Sequence, residues 1–255
     1  MDNLKDVVVV ITGAASGMGA ATAKTLAAKG AKIALLDINI DKAITLAEEI
    51  NGYAITCDVS DAESSEKALM QVIEKLGPVR ICVNCAGIAP AQRVVGRDGV
   101  MPLANFQKAI EINLIGSFNI LRLAAAQMCE QQPVNSDGER GLIINTASVA
   151  AFDGQIGQAA YSASKAGIVG MTLPLARELA RFGIRVMTIA PGIIATPMMS
   201  GMPDNVQESL ANMIPFPKRL GQASEFAKLC LHIIENPYLN GEVIRLDGAI
   251  RMQAK

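Results

Sequence analysis

Val7-Val8-Val9-Val10-Ile11 runs directly into Thr12-Gly13-Ala14-Ala15-Ser16-Gly17-Met18-Gly19, and the reading of these thirteen residues decides the fold. Five consecutive β-branched residues mark a strand buried on both faces, as strands of a parallel sheet are. The glycine-rich turn opens into an alanine-rich helix that runs to Lys29 and is closed by Gly30. Glycines at a strand-to-helix turn allow the backbone close to a diphosphate, and the helix N-terminus supplies N–H donors and a positive dipole. The spacing G-x-x-x-G-x-G is a variant of the dinucleotide fingerprint. A tight turn alone would also require glycine.

Working outward, strand and helix keep alternating. A second strand, Lys32 to Leu36, ends at Asp37, about twenty residues beyond the glycines. A carboxylate there can accept hydrogen bonds from ribose hydroxyls and repels a 2′-phosphate. No Arg or Lys follows, since Ile38, Asn39 and Ile40 come next, so NAD is favoured over NADP. The alternative for Asp37 is a helix cap or turn residue. Helices are expected at 41–50 and 61–76, strands at 53–57 and 79–83. Asp58 and Val59 follow one strand, placed to flank an adenine, and Asn84-Cys85-Ala86-Gly87 follow the other, small enough for close backbone approach. Residues 88–103, with Pro90, Gly96, Gly99 and Pro102, read as a loop, and 103–131 as a long apolar helix containing Asn113. A buried Asn needs partners, either at a helix bend or in the chemistry. The pattern as a whole is α/β, a doubly wound parallel sheet with helices on both faces and ligands at its C-terminal edge.

The apolar run Leu142 to Ile144 delivers Ser148 to that edge, and thirteen residues later Tyr161 opens Tyr161-Ser162-Ala163-Ser164-Lys165 in a helix expected over 158–181. Tyr161 and Lys165, four apart, share one helix face. An ammonium close to a phenol favours the phenolate and lowers a pKa that is ordinarily near 10. A phenol so tuned exchanges protons with an alcohol or ketone oxygen that the Ser148 hydroxyl can hold. The alternative is a snorkelling surface pair. A strand over 184–189 runs into Ala190-Pro191-Gly192 and on to Ile194 and Thr196. The irregular segment 197–221, with Met198, Met199, Met202 and Met213 among Pro and Gly, is expected to form a lid over an apolar substrate or a packing and subunit surface. A helix over 223–234 and a strand over 242–246 end the alternation. No internal repeat or second-domain boundary interrupts it, so residues 1–255 are expected to form one domain.

Composition narrows the function classes. Apolar residues make up 51% and charged residues 18%, with a net charge of −1 and no basic cluster, which gives a nucleic-acid surface no support. No apolar run is expected to reach a membrane span, and the N-terminal residues lack the pattern of a signal or transit peptide, so the cytoplasm is the expected compartment. The five cysteines, Cys82-x-x-Cys85 among them, lack framework or zinc spacing and are expected to be reduced packing residues, as is the single histidine, His232. With one histidine so placed, Ser-His-Asp chemistry is disfavoured.

Taken as an ordered set, Thr12-Gly-x-x-x-Gly-x-Gly19, Asn84-Cys-Ala-Gly87, Asn113, Ser148, Tyr161-x-x-x-Lys165 and Pro191-Gly192 resemble the short-chain dehydrogenase/reductases along essentially the whole chain. The resemblance implies a Rossmann-type seven-stranded sheet and a catalytic set of Asn113, Ser148, Tyr161 and Lys165. It also implies a cofactor site made of Gly13, Ser16, Gly17, Met18, Gly19, Asp37, Asp58, Val59, Asn84, Ala86, Gly87, Tyr161, Lys165, Pro191, Gly192, Ile194 and Thr196. Cys85 departs from the family, many members of which have a second Asn there.

The segments 143–152, 155–165, 167–174 and 240–252 are similar to the type-II 3-hydroxyacyl-CoA dehydrogenases, a branch that also oxidises hydroxysteroids and forms homotetramers. That similarity implies NAD-dependent oxidation of a short or medium 3-hydroxyacyl-CoA, with or without a 2-methyl branch, in fatty-acid or branched-chain amino-acid breakdown. It implies substrate contacts from Ser148, Gln158 and Tyr161 and a water chain served by Asn113. A CoA thioester would leave its phosphates outside the lid, where scattered basic residues such as Arg93, Arg97, Lys218 and Arg219 are available to meet them; the alternative is that these are charges of an ordinary solvated surface. The competing readings are a 3-ketoacyl-carrier-protein reductase, a hydroxysteroid dehydrogenase and, outside the enzymes, a cofactor-sensing or scaffold protein.

Overall fold

Seven parallel strands form the centre of the computed structural model, which describes residues 1, 4–97, 99–196, 199 and 204–254, the side chains of 204–207 excepted. The first half is β1 (Val8–Thr12), α1 (Gly17–Ala27), β2 (Lys32–Asp37), α2 (Ile40–Ile50), β3 (Tyr53–Thr56), α3 (Ala62–Leu76) and β4 (Ile81–Asn84). Next come a two-residue-per-strand hairpin, β5 (Val95–Gly96) and β6 (Gly99–Val100), then α4 (Leu103–Ile110) and α5 (Gly116–Cys129). The second half is β7 (Gly141–Thr146), α6 (Ala159–Ala180), β8 (Ile184–Pro191), β9 (Ile194–Ala195), α7 (Asp204–Asn212), β10 (Gly221–Gln222), α8 (Ala223–Glu235) and β11 (Val243–Leu246).

The order across the sheet is β11-β8-β7-β4-β1-β2-β3. Every pairing in it is parallel. Chain direction across the sheet reverses between β1 and β4, and there the C-terminal ends of the strands open a crevice. Burial on both faces explains the sequence pattern: all five residues of β1 and all eight of β8 are buried. One face packs Val9, Ile11, Leu35 and Ile144 against Ala23, Leu26, Phe226 and Ile233. The other packs Val10, Ala34, Cys82 and Ile143 against Leu69, Val72, Ile120 and Leu121. Burying a side chain of this size contributes about 1.5–3 kcal/mol, so the two faces together dominate the stability.

Four expectations are corrected. The loop over 88–103 contains the hairpin β5–β6, whose Val95 and Val100 are exposed. The long helix after it is not uniform, because Glu111–Ile115 forms one π-helical turn between α4 and α5. By length and composition alone, Leu103–Cys129 is apolar enough to cross a bilayer, yet half of that apolar window is buried within the protein, where α5 closes one face of the sheet. His232 lies on the exposed side of α8 rather than in the packing. The five cysteines are free as expected. Of the expected lid, Pro197, Met198 and Met202 lie outside the described residues. Within its described part Met213, Ile214 and Leu220 pack with Ile250, while Phe216 is exposed.

Candidate active site

The glycine turn and the ends of β1, β2 and β4 are fastened to one another at the crevice. Thr12 Oγ1 accepts from the backbone N–H of Cys85 and of Ala86, both at 3.1 Å. Gly13 has φ +61, and a Cβ there would stand 2.7 Å from the Ala86 nitrogen. A Cβ on Gly19 would collide with the Gly13 carbonyl oxygen, and one on Gly87 would stand 3.0 Å from Asn113 Oδ1 and 3.6 Å from Lys165 Nζ. Asp37, at the end of β2, accepts from Ala15 N at 2.9 Å through Oδ2 and from Asn39 N at 2.9 Å through Oδ1. Its carboxylate therefore closes the glycine turn onto β2. The donor-rich start of α1, the backbone cradle without side chains and the carboxylate at the strand end fit a dinucleotide with free ribose hydroxyls.

Other expected cofactor residues fall at the same edge with differing exposure. Asp58 is exposed, and its Oδ1 accepts from Ser60 N and Oγ, while Val59 is buried against Gly116. Ser16 precedes α1, and Met18 packs partly into the core. Pro191 ends β8, Gly192 abuts Asp247, and Ile194 is buried in β9, which pairs with β10. Thr196 is half-buried. The Asn84 side chain is engaged inside the sheet. It is buried, and its amide donates to Asn145 Oδ1 at 2.9 Å and to Ser117 O at 3.3 Å. It holds β4 to β7 and α5.

Asn113, Ser148, Tyr161 and Lys165 converge at this edge from three elements. Asn113 sits in the π-helical turn and is fully buried. Its amide donates to Ile88 O and to Ser164 Oγ, both at 2.9 Å, and its Oδ1 accepts from Ile88 N at 2.8 Å. Both backbone groups of Ile88 are thereby satisfied, as expected of an Asn at a helix irregularity. Ser164 Oγ in turn donates to Tyr161 O at 2.7 Å. Ser148 follows β7 and caps a single 3₁₀ turn, its Oγ accepting from Ala150 N at 3.1 Å. Tyr161 and Lys165 lie one turn apart on α6. Lys165 is buried and donates to Thr146 O at 2.7 Å.

Burial is the largest influence on both members of this pair. Burial raises the Tyr161 phenol, and the hydrogen bond with Ser148 pulls it back. The Lys165 ammonium stands 5.9 Å from the centre of the Tyr161 ring and donates to the Thr146 carbonyl. Burial pushes Lys165 itself down to about 8, close to the range in which it exchanges protons at neutral pH. Cys85 sits beside this group, accepting from Thr146 Oγ1 at 3.7 Å, and burial pushes its thiol up to about 11; Cys82 rises to about 12. Neither thiol is a nucleophile at neutral pH. Among the described residues no group of His, Cys, Asp and Glu could hold a metal ion.

Gln158 is turned inward within its own loop, its Oε1 accepting from Gln155 N at 3.1 Å. Arg219, expected to meet phosphates, is bound by Glu225 through two hydrogen bonds of 2.8 and 2.9 Å. Arg93, Arg97 and Lys218 are exposed. Two residues that the sequence reading missed are Thr146, which holds Lys165 through its carbonyl, and Ser164, which joins Asn113 to the Tyr161 turn. Ser164 had a signal: it is a small polar residue three positions after Tyr161. Thr146 had none, since its part is played by the backbone.

Residues 7–207 match the family model of the short chain dehydrogenases. The chain is 52% identical over 255 residues to the 3-hydroxyacyl-CoA dehydrogenase type-2 of Rattus norvegicus, covering 98% of this chain and 97% of that one. It is 50% identical over 253 residues to the protein of the same name from Drosophila melanogaster, covering 98% and 99%. Among solved structures, the 3-hydroxyacyl-CoA dehydrogenase type-2 from Mycobacterium avium superimposes with a TM-score of 0.92 at 40% identity, covering 98% of this chain and 97% of that one. With its strand order, its glycine cradle and Ser148, Tyr161 and Lys165 at one edge of the sheet, the chain belongs to the short-chain dehydrogenase family, a family of oxidoreductases.

Proposed function

We propose that this protein oxidises a short or medium 3-hydroxyacyl-CoA, with or without a 2-methyl branch, to the 3-ketoacyl-CoA, with NAD as cofactor. The observation that carries the substrate is identity above 50% along nearly the whole chain to a dehydrogenase named for it. The loop between Ser148 and Tyr161 supports an apolar substituent, since it exposes Phe152 and Ile156. Asp37 supports NAD, because a 2′-phosphate would meet a carboxylate already committed to Ala15 and Asn39. The same residue weighs against a carrier-protein reductase, which usually takes NADPH. Retention of both Tyr161 and Lys165 weighs against a scaffold with a retired site.

Gly13, Gly17, Gly19 and the start of α1 would hold the diphosphate, Asp37 the adenosine ribose, and Lys165 with Pro191 and Gly192 the nicotinamide half. When bound, the nicotinamide ring supplies the hydride acceptor. Tyr161 takes the proton of the substrate hydroxyl, and Ser148 donates to the oxygen on which charge changes. Because burial holds the phenol protonated at neutral pH, Tyr161 must first lose its proton, and Lys165, titrating near 8, is the neighbour placed to assist. Oxidation is therefore expected to quicken on the alkaline side of neutrality. Asn113 has its amide engaged inside the protein and shapes the edge through Ile88 and Ser164.

The exposed apolar residues Ile115 in the π-helical turn, Phe118 on α5 and Leu173 on α6 support a homotetramer, which light scattering would report as about four times the chain mass. The substrate is tested by comparing kcat/KM, with NAD and with NADP, for 3-hydroxybutyryl-CoA, its 2-methyl analogue, a hydroxysteroid and the free hydroxy acid. A thioester with NAD is expected to lead. A free acid or steroid ahead of both thioesters by an order of magnitude would overturn the acyl-CoA reading.

A further inference from the structure

The loop that joins Ser148 to Tyr161 is gripped from the far end of the chain by one side chain. Arg245, on β11, donates from Nη2 to Asp153 Oδ2 at 2.6 Å and to Ile250 O at 3.0 Å, and from Nε to Asp247 Oδ2 at 2.7 Å. Its guanidinium also lies 5.3 Å from the centre of the Phe152 ring. The Arg245 and Asp153 side chains are 21% and 17% exposed, which shields the pair from the solvent screening that weakens surface ion pairs. Arg245 holds the Asp153 carboxyl below the usual carboxylate range, so both are charged at neutral pH.

Each partner of Arg245 reaches a different wall of the crevice. Asp247 lies against Gly192, where a Cβ would stand 2.9 Å from its Cα, and Gly192 N donates to Leu246 O at 2.9 Å. Ile250 is buried with Ile214 and Leu220 beneath the segment that follows α7. Asp153 begins the stretch in which Ile156 N donates to Ala254 O at 3.0 Å and Gln155 Nε2 to Gln253 O at 3.1 Å. Gln155 N donates to Gln158 Oε1, which is the residue that opens α6 and its Tyr161. Held this way, the residues between Ser148 and Tyr161 are tied through Arg245 and Asp247 to the Pro191–Gly192 turn.

We propose that Asp153 and Arg245 are positioning residues: their ion pair sets the loop 152–158 against the Pro191–Gly192 turn, and so fixes the substrate-facing wall relative to Ser148 and Tyr161 without touching the reacting atoms. The kinetic part rests on the acyl-CoA reading above. Arg245 is on the edge strand β11, which β8, β7 and β4 separate from β1 and its glycine turn, so the pair is expected to govern substrate and not the adenosine half of the cofactor.

The test is Asp153→Asn, which keeps the shape and removes the charge, with Asp153→Glu as the conservative variant. Asp153→Asn is expected to raise KM for 3-hydroxybutyryl-CoA by about fivefold to tenfold, with kcat lowered less than about threefold and the NADH Kd within about twofold. Amide hydrogen exchange in 153–158, measured with no substrate present, is expected to quicken by about tenfold, and Asp153→Glu to restore part of both effects. Wild-type exchange in that stretch, or a lowered Tm with KM and kcat unchanged below it, would overturn the proposal. If the wild type does not turn over the thioester, the acyl-CoA reading fails, and the exchange rates still decide whether the pair holds the loop.

Discussion

Two buried cations, Lys165 and Arg185, stand at opposite ends of the same sheet and are treated in opposite ways. Arg185, at the start of β8, is 6% exposed and saturated: Nε and Nη2 donate to Glu139 Oε1 at 3.0 and 2.8 Å, and further bonds go to the carbonyls of Ile233, Ile234, Asn236 and Leu239. Lys165, at the C-terminal edge, is 5% exposed, and among the described residues its hydrogen bond is the one to Thr146 O. Among the described residues no carboxylate pairs with it, and its ammonium is disfavoured enough to titrate near 8. Equal burial with unequal satisfaction separates a cation that holds the fold from one whose charge is poorly compensated, as the proposed role of Lys165 in proton exchange requires. The strained group is at the end of the sheet where the strand order reverses and ligands bind.

The largest effect that would break this contrast is on turnover. Lys165→Met is expected to lower kcat by about a hundredfold to ten-thousandfold while leaving Tm unchanged or higher, since it removes a desolvated charge. The pH dependence has a definite sign. Folding lowers the Lys165 pKa from 10.5 to about 8, so between those values the unfolded chain binds more protons than the folded one. Wild-type stability should therefore gain a rising component with pH across that window, with the full penalty present below about 8. Denaturant titrations at several pH values should show this component in the wild type and not in the variant.

Next in size is Arg185→Met, which leaves Glu139 buried without its main partner. It should lower stability by about 3–5 kcal/mol in denaturant titrations. The fraction that remains folded should keep KM and kcat near wild type, because Arg185 is at the far edge of the sheet. Loss of activity without loss of stability would erase the distinction drawn between the two cations. A smaller effect is expected for Asp37→Ala. Hydrogen bonds to a charged acceptor contribute about 1.5–3 kcal/mol, so NAD affinity should fall about tenfold to a hundredfold and the margin over NADP should narrow. Titrating both cofactors reads this directly, and tighter wild-type binding of NADPH than of NADH would contradict the cofactor assignment.

Much of this was legible in the sequence because the signals are local. Strands such as β1 and β8 are buried on both faces and announce themselves as unbroken apolar runs. Turn glycines, Asp37 after β2, and Tyr161 four positions before Lys165 are equally local patterns. What failed had no local signature. The hairpin β5–β6 is two residues a side and reads as loop. The π-helical turn around Asn113 interrupts a composition that continues through it. The Arg245–Asp153 pair joins residues 92 positions apart. Sequence spacing correctly put Tyr161 and Lys165 on one helix face, but it could not show that the Thr146 carbonyl claims the ammonium.

Tyr161→Phe tests most directly whether Tyr161 moves the proton at this edge, because the change removes one oxygen and little packing. The measurement is kcat for 3-hydroxybutyryl-CoA oxidation across pH, with NADH affinity and Tm recorded on the same preparation. A fall in kcat of about a hundredfold or more with NADH affinity and Tm near wild type is the expected result. Wild-type kcat across pH in the Phe variant would contradict the proton-transfer role.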